Sequence, residues 1–461
     1  MISRFLTILF WLVFSDKSPH GLRATFEKLG PTFIKLGQLL SARPDFIPKT
    51  YADEFRKLLD KENEVDFAEI KKILEKELGQ EKLSFFVSIN SKAISSASIG
   101  QVHLGILKNK KRVAIKVMKP GIKRYIEVDT KILLNIAGFL SLFQFFKSIS
   151  IKKIVQEYAH WITRELDFGA EAKRAEKLAE NLKTVEKFVI PKVYSEFTTE
   201  SVLVLEYLDG VTVNEILNQM QTGNFDTPDK INLPFKVDYQ VLVSQVIDCF
   251  IFKQILTDGY FHGDPHPANI LVLRNNKIGL VDFGIMATLD KKEHTQILMV
   301  LLGIIEDDPS RLLHVMAAIS EKELTRKESL ELTDTISEEL HKMHGGSLRE
   351  ATIGEMILNI ISVGRNFNLH WSPGIILGLR AIALIEGIGL RVIPNSSLIE
   401  LIKPHLRKYL AREAVSQFSE DEIYKGVLKF IELGHSLENM GDLIGEKGLK
   451  VEVSKEVNNN G

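Results

Sequence analysis

The sequence predicts an α+β fold with two lobes, a small one built around a sheet and a larger one made mostly of helices. Three observations support this prediction. About 85 residues with helical periodicity precede the first strand signals. Strand signals rich in β-branched residues then cluster between residues 112 and 207. Everything from residue 290 onward has helical character.

The composition limits the partners and compartment of the protein. The 461 residues include 59 Lys and Arg against 60 Asp and Glu, a formal net charge of −1, which excludes a basic nucleic-acid-binding protein. The one cysteine, Cys249, excludes an internal disulfide and a cysteine-rich zinc site. We therefore expect a reducing, cytoplasmic compartment and a buried thiol at Cys249.

The first element is an apolar segment, FLTILFWLVF at residues 5–14. It is too short to span a bilayer and lacks a signal-peptide cleavage site, so no membrane crossing is expected. Two interpretations stay open, a helix packed on its own domain and an anchor in the membrane interface. Residues 21–47 then predict two helices separated at Gly30 and Pro31, and a capped helix begins after Asp66.

Strands are predicted at residues 112–118, 188–193 and 202–207, with a helix at 151–182. A long apolar helix at 239–258 follows. The predicted organisation is an apolar segment (1–20), a helical extension (21–85), a sheet-containing lobe (86–210), a helical lobe (211–400), and C-terminal helices with a disordered tail (401–461).

The strongest chemical signal is HGDPHPAN at residues 262–269, followed by an Asp-Phe-Gly triplet that begins at Asp282. Asn269 lies five positions after Asp264, and Asp282 lies thirteen after Asn269, which is the spacing of a kinase catalytic loop and metal-binding triplet. Carboxylate and amide oxygens are hard ligands that suit Mg²⁺ in phosphoryl transfer. Asn269 and Asp282 are thus the predicted metal ligands, and Asp264 would orient or deprotonate the nucleophile.

The second signal is Lys116, in the sequence VAIK on a predicted strand. The period of two points Val113 and Ile115 to one face and Lys116 to the other, where it can reach bound phosphates. Taken alone, a strand lysine is more often a solvated side chain. Lys116 also needs an anionic partner, for which there are three candidates in ELDFGAEA: Glu165, Asp167 and Glu171.

Three departures from ordinary kinases are visible. The segment before the Lys116 strand, residues 94–102, has one glycine where a phosphate-covering loop uses three. Gly263 stands in place of the catalytic-loop arginine, and no Ala-Pro-Glu follows Gly284, so switching by activation-loop phosphorylation is not expected. His262 and His266 are interpreted as structural rather than metal-binding.

With these motifs in order, the chain resembles the UbiB (aarF-domain) family of atypical protein-kinase-like proteins over about residues 21–395. The resemblance includes KLGQ at residues 35–38, ELD at 165–167 and HGDPHPAN. It implies a kinase-like bilobal fold with the N-terminal helical extension packed over the active site. It also implies ATP and Mg²⁺ as cofactors and a link to isoprenoid quinone (ubiquinone-type) biosynthesis.

The resemblance assigns roles to individual residues. Lys35 would pair with Glu165 where a protein substrate would otherwise dock, and Glu171 would pair with Lys116. The implied catalytic set is Asp264, Lys116, Glu171, Lys35, Glu165, Asp167 and Gln38. The implied nucleotide contacts besides Lys116 are Ser95, Ser96, Ala97 and Ser98 in the family's alanine-rich loop, with Glu206 and Leu208 in the hinge. Arg380 and Glu386 are interpreted as an internal ion pair of the helical lobe.

Three functions are consistent with these residues and motifs. The favoured one is an ATPase, or a phosphotransferase acting on a lipid or small molecule, at the surface of a membrane. Its partners would be ATP or ADP, a membrane lipid or quinone precursor, and proteins of quinone biosynthesis. The alternatives are a protein Ser/Thr kinase and a nucleotide-gated scaffold without turnover.

Overall fold

The computed structural model describes residues 2–41, 43, 46–58, 64–142, 151–320, 323–345, 352–367, 369, 371–394 and 398–416. The chain divides into two units, Met1–Ile402 and Lys403–Gly461, and both lobes belong to the first. The described part of the second unit, residues 403–416, is helical. The predicted disordered tail lies outside the described residues, and the other predicted domain boundaries stay predictions.

The chain begins with a helical extension. Its helices are α1 (Ile2–Phe14), α2 (Pro19–Leu29), α3 (Pro31–Ser41), α4 (Lys49–Phe55) and α5 (Phe67–Leu83). The predicted break between α2 and α3 is confirmed: Gly30 has φ +90°, and its N–H donates to the Phe26 carbonyl to end α2, while Pro31 starts α3. Asp66 caps α5 by accepting the Ala68 N–H.

An antiparallel sheet forms the first lobe. Its strands lie in the order β1 (Phe86–Ser96), β2 (Gly100–Leu107), β3 (Arg112–Met118) and β5 (Val202–Glu206). In β3 the residues Val113, Ile115 and Val117 are buried, and they pack against Ile70 and Leu74 of α5. The expected loop at residues 94–102 is mostly strand, because the chain turns within only three residues between β1 and β2.

Among the residues described between β3 and β4 there are three helices, rather than the one predicted at 151–182. They are α6 (Ile122–Leu140), α7 (Ile151–Glu165) and α8 (Phe168–Asn181). The predicted helix is divided because Asp167 adopts an extended conformation and caps α8, with its side chain accepting the Ala170 N–H at 2.9 Å. The strand predicted at 188–193 is reduced to two residues, β4 (Phe188–Val189).

The second lobe is mostly helical, as predicted. Its second sheet has the order β4, β9 (Lys277–Leu280), β8 (Ile270–Leu273) and β6 (Val211–Thr212), and β7 (Tyr260–His262) pairs with β10 (Met286–Thr288). Its helices are α9 (Val213–Thr222), α10 (Tyr239–Ile247), α11 (Lys291–Ile305), α12 (Pro309–Ser320), α13 (Arg326–Gly345), α14 (Ile353–Asn366) and α15 (Pro373–Val392), and α16 (Leu398–Ser416) continues into the second unit.

Helix α10 continues as a π-helix, Asp248–Asp258. After Gly259 comes β7, whose last residue, His262, begins the HGDPHPAN segment. Among the described helices, only this continuous one has the length and apolar composition of a membrane span, with 61% of its most apolar window buried. The helix contacts α11 and α15 in the interior of the lobe. Cys249 lies in it and is buried, as predicted, and burial raises the pKa of its thiol.

Candidate functional site

Lys116 is held by two carboxylates in the cleft between the lobes. Its ammonium donates to both oxygens of Glu171 at 2.9 Å and lies 3.8 Å from Asp282 Oδ1. Burial alone would lower the pKa of Lys116, but the charges of Asp282 and Glu171 raise it overall. Of the three predicted candidates, Glu171 on α8 is thus the partner, and Lys116 is held in its charged form.

Helix α8 also positions the Asp-Phe-Gly triplet. Glu171 Oε1 accepts the Phe283 N–H at 3.2 Å, and Arg174 Nε donates to the Phe283 carbonyl at 2.8 Å. Asp282 has φ +62°, and its Oδ1 accepts the Gly284 N–H at 3.0 Å. Burial alone would raise the pKa of Asp282, but Lys116 and the Gly284 N–H lower it to about 2. Asp282 therefore stays ionised at neutral pH.

The side chain of Asn269 is held through its amide nitrogen. Its Nδ2 donates to the Asp264 carbonyl at 3.2 Å, which leaves Oδ1 as the atom able to bind a cation. Its own carbonyl accepts the Val281 N–H at 3.0 Å, so Asn269 lies beside the residues that lead into Asp282. No group of three His, Cys, Asp or Glu suited to a metal occurs in the described residues. One amide and one carboxylate fit a Mg²⁺ that completes its coordination with phosphates and water.

The two histidines near the catalytic loop are structural, as interpreted from the sequence. His262 is buried between the rings of Phe250 and Phe283, and its Nδ1 accepts the Asp264 N–H at 3.2 Å. His266 caps the short turn that follows it, by accepting the Ala268 N–H. Both side chains therefore shape the loop that presents Asp264.

Arg380 enters the site from α15, a role that sequence reasoning missed. Its Nη2 donates to Asp264 Oδ1 at 2.9 Å. The predicted internal ion pair with Glu386 is wrong, because residues six positions apart point to different faces of a helix. Glu386 instead accepts the Ile353 N–H at 2.8 Å and the Gly354 N–H, which caps α14. No pattern in the sequence near Asp264 signals this pair, because Arg380 lies on a distant helix.

The helical extension reaches the same cleft through α3. Lys35 Nζ lies 3.3 Å from Glu165 Oε2, and Tyr158 donates to the Thr32 carbonyl at 2.8 Å from a fully buried position. Lys35 also helps to lower the pKa of Asp282, after the larger effects of Lys116 and Gly284, so its charge acts on the predicted metal site. The contact between Lys35 and Glu165 matches the one that the resemblance implied.

Comparisons with known proteins settle the family. The model of the ABC1 atypical kinase-like domain matches residues 57–316. The chain belongs to the ABC1 atypical kinase-like family. A probable protein kinase UbiB of Vibrio cholerae is 30% identical over 421 residues, covering 89% of this chain and 74% of that protein. An uncharacterised protein of Synechocystis is 32% identical over 377 residues, covering 81% of this chain and 90% of the relative.

A solved structure agrees on the fold. A Mycobacterium tuberculosis protein, Rv3197, solved in complex with erythromycin, matches with a TM-score of 0.53 and 22% identity, over 79% of this chain and 89% of its own. Together with the family match, it confirms the predicted resemblance to UbiB and the α+β, bilobal, kinase-like fold. The relatives also align beyond the ABC1 domain.

Gln38 of the KLGQ motif and Asp167 of the ELD motif hydrogen-bond to backbone groups. Gln38 Nε2 donates to the Leu58 carbonyl at 3.5 Å, within the helical extension. Asp167 is the cap of α8, the helix that carries Glu171. Each of them thus fixes an element that carries a group in the cleft, and their catalytic roles stay predictions.

The predicted nucleotide loop is a tight turn. Ser95 and Ser96 end β1, and the Ala97 N–H donates to the Gly100 carbonyl at 2.9 Å, which closes the turn around Ser98. A Cβ atom at Gly100 would lie 2.8 Å from the Val117 carbonyl oxygen on β3. Gly100, the one glycine of the predicted nucleotide loop, is therefore required for β2 to pack against β3.

Phe168 lies next to that turn, and the sequence did not predict its role. Its buried ring lies 5.0 Å from Lys116 Nζ and would touch any side chain at Gly100. Phe168 directly follows the ELD motif, so its position in the sequence was the available signal. The ring of Phe168 therefore lies beside both Lys116 and Gly100, the residue that follows the turn.

At the predicted hinge, two backbone N–H groups donate hydrogen bonds to backbone carbonyls of the protein itself. The Glu206 N–H donates to the Lys192 carbonyl at 2.8 Å, and the Tyr207 N–H donates to the Arg112 carbonyl at 3.1 Å. The Leu208 side chain is buried against Leu271. The Glu206 and Tyr207 N–H groups therefore donate within the protein rather than to a base.

Proposed function

We propose that the protein is a Mg²⁺-dependent, ATP-binding enzyme, an ATPase or a phosphotransferase acting on a lipid or small molecule. Its proposed setting is isoprenoid quinone biosynthesis at a membrane surface, from the cytoplasmic side. The observation that carries the catalytic part is the convergence of Lys116, Glu171, Asn269 and Asp282 in one cleft. The quinone setting rests on the resemblance to the UbiB family, to which relatives of this chain belong.

Each side chain has a defined task in this proposal. Lys116 would bind the phosphates, since Glu171 holds its ammonium charged and in place. Asn269 Oδ1 and the carboxylate of Asp282 would hold the cation, which neutralises charge on the transferred phosphoryl group. Asp264 would orient the attacking water or hydroxyl.

A protein kinase is the second candidate, because the UbiB relatives carry that description. Two features of the geometry weigh against it. Lys35 pairs with Glu165, and the family resemblance implies that this contact lies where a protein substrate would otherwise dock. Only six residues separate Gly284 from the start of α11 at Lys291, and three of them pair with β7, so little chain is left to form a peptide platform.

The test is a phosphate-release assay on the full chain, with and without anionic vesicles and a quinone-like phenol. Asp282→Asn is the active-site variant, Lys35→Ala opens the extension, and Asp53→Asn is a surface control in which one exposed carboxylate becomes an amide. Phosphate release that is lost only in Asp282→Asn, with no label on protein, supports the proposal. Label on an added protein that rises in Lys35→Ala would indicate a protein kinase.

The third candidate, a scaffold without turnover, is separated by the same samples. Calorimetry measures binding of Mg·ATP or Mg·ADP independently of turnover. Binding by the unsubstituted protein without phosphate release under any condition contradicts the enzyme proposal and supports the scaffold. Absence of both binding and release contradicts the nucleotide site itself.

A further inference from the structure

Helix α1 presents an apolar stripe to solvent. Ile2, Leu6, Phe10 and Phe14 are 79%, 57%, 54% and 73% exposed, and their spacing of four residues places them on one side of the helix. The stripe is about 18 Å long at 1.5 Å per residue. Residues 2–14 contain no Asp or Glu.

The opposite side of α1 is fixed to the fold by a buried charge pair. Arg4 donates to both oxygens of Asp129 on α6, at 2.8 and 2.6 Å, and to the Leu29 carbonyl at 2.6 Å. Asp129 is fully buried, and Ile8, one turn further along α1 from Arg4, is fully buried as well. Burying a carboxylate is costly unless it is paired, so the Arg4 contact sets the orientation of α1 strongly. The stripe is therefore presented in a defined direction.

The size and charge of the stripe identify its occupant. A stable protein dimer needs about 800 Å² and 20–30 residues from each partner, far more than four side chains supply. A helix that lies in a membrane interface instead inserts Trp, Phe or Leu side chains from one face, and nearby cations add attraction to anionic lipids. Lys17 is exposed in the loop that follows α1. Lys28 is exposed in the last turn of α2, and its Nζ lies 4.6 Å from the ring centre of Trp11 on α1.

We propose that α1 docks the protein onto a lipid bilayer, with Leu6, Phe10 and Phe14 inserted below the headgroups. This inference rests on the proposed membrane setting and names the surface responsible. Helix α1 packs against α2 and α6, and α2 leads through Gly30 into α3, the helix of Lys35. Docking through α1 thus brings the bilayer to the same extension that lies over the cleft.

The first test is flotation of the full chain with phosphatidylcholine vesicles, with or without phosphatidylglycerol. The double variant Leu6→Asp, Phe10→Asp puts two charges into the stripe, and Leu330→Asp is the matched control at a 60% exposed apolar residue of α13. We expect the bound fraction to fall about tenfold or more in the double variant only, because charged residues do not enter the apolar zone. Unchanged binding of the double variant overturns the proposal.

The second test measures insertion itself. Cys249 is the one cysteine of the chain and is buried, so a cysteine introduced at Leu6 or at the control position Val87 can be labelled with an environment-sensitive dye. Vesicles should shift the emission to shorter wavelength for a label at Leu6 and not at Val87. No shift at Leu6, or a shift caused instead by self-association without vesicles, contradicts docking on lipid.

Phosphate release in the absence of vesicles separates this inference from the proposed function. The double variant should keep the basal rate of the unsubstituted protein, since Leu6 and Phe10 lie outside the cleft. A protein that binds vesicles through α1 but releases no phosphate keeps the docking surface and loses the catalytic proposal.

Discussion

Glu171→Gln should weaken nucleotide binding through its effect on Lys116. The carboxylate is only 2% exposed, and it accepts two bonds from Lys116 at 2.9 Å and one from the Phe283 N–H at 3.2 Å. The amide keeps the shape but loses the charge and one acceptor. Lys116 then turns to its nearest remaining anion, Asp282 at 3.8 Å, which the cation needs.

The size of the effect follows from the bonds lost. A hydrogen bond to a charged group contributes about 1.5–3 kcal/mol, which corresponds to roughly a 10- to 150-fold weaker affinity. Isothermal titration with Mg·ADP or Mg·ATP measures this change directly. We expect the loss in Glu171→Gln to fall in that range.

The matched control is Glu165→Gln, which makes the same chemical change in a second cleft carboxylate. Glu165 pairs with Lys35 rather than Lys116, at 3.3 Å, so the variant should loosen α3 and change affinity by less than about threefold, under 1 kcal/mol. Equal losses in the two variants, or an unchanged affinity in Glu171→Gln, would refute the assignment of Glu171 as the residue that positions Lys116.

Three further predictions concern charges outside the Lys116 pair. Arg380→Met removes the partner of Asp264 and a cation that can turn toward the phosphate, so it should lower kcat about tenfold or more and raise KM, measured by steady-state phosphate release. Burial raises the pKa of Glu386 to about 7, from an ordinary value of 4.5, so the folded state keeps a proton that the unfolded state releases, and stability falls as pH rises from about 4.5 to 7. Glu386→Gln should flatten that part of the curve in urea unfolding at several pH values. Arg4→Met should cost about 3 kcal/mol by leaving Asp129 unpaired, and adding Asp129→Asn should recover most of it, again by urea unfolding.

Local patterns in the sequence predicted much of this fold and site. The strand that carries Lys116 was predicted with its observed limits, because alternating Val and Ile mark one buried face. The strand β1 was missed because it lies at the edge of its sheet, where most of its side chains are exposed and give no alternation. The division at Asp167 was missed because an uninterrupted helical pattern hid a cap inside it.

Contacts between distant segments were harder to predict. The sequence offered three carboxylates for Lys116, and only the packing of α8 on the first sheet selects Glu171. The partner of Asp264 is Arg380, 116 positions away on another helix, and no local pattern specifies such a pair.

The burial of the charge pairs in the cleft indicates the order in which their cations would separate from their carboxylates when a polyphosphate binds. Each of three cations in the cleft already has a carboxylate partner: Lys35 with Glu165, Lys116 with Glu171, and Arg380 with Asp264. Glu171 is the most buried of the three carboxylates and is also tied to the Phe283 N–H, so separating Lys116 from it would cost most. The Arg380 pair is more exposed than the Lys35 pair, so its separation costs less. We therefore expect Arg380 to turn to the phosphate first, which frees Asp264 to accept a proton while Lys35 keeps the extension closed over the cleft.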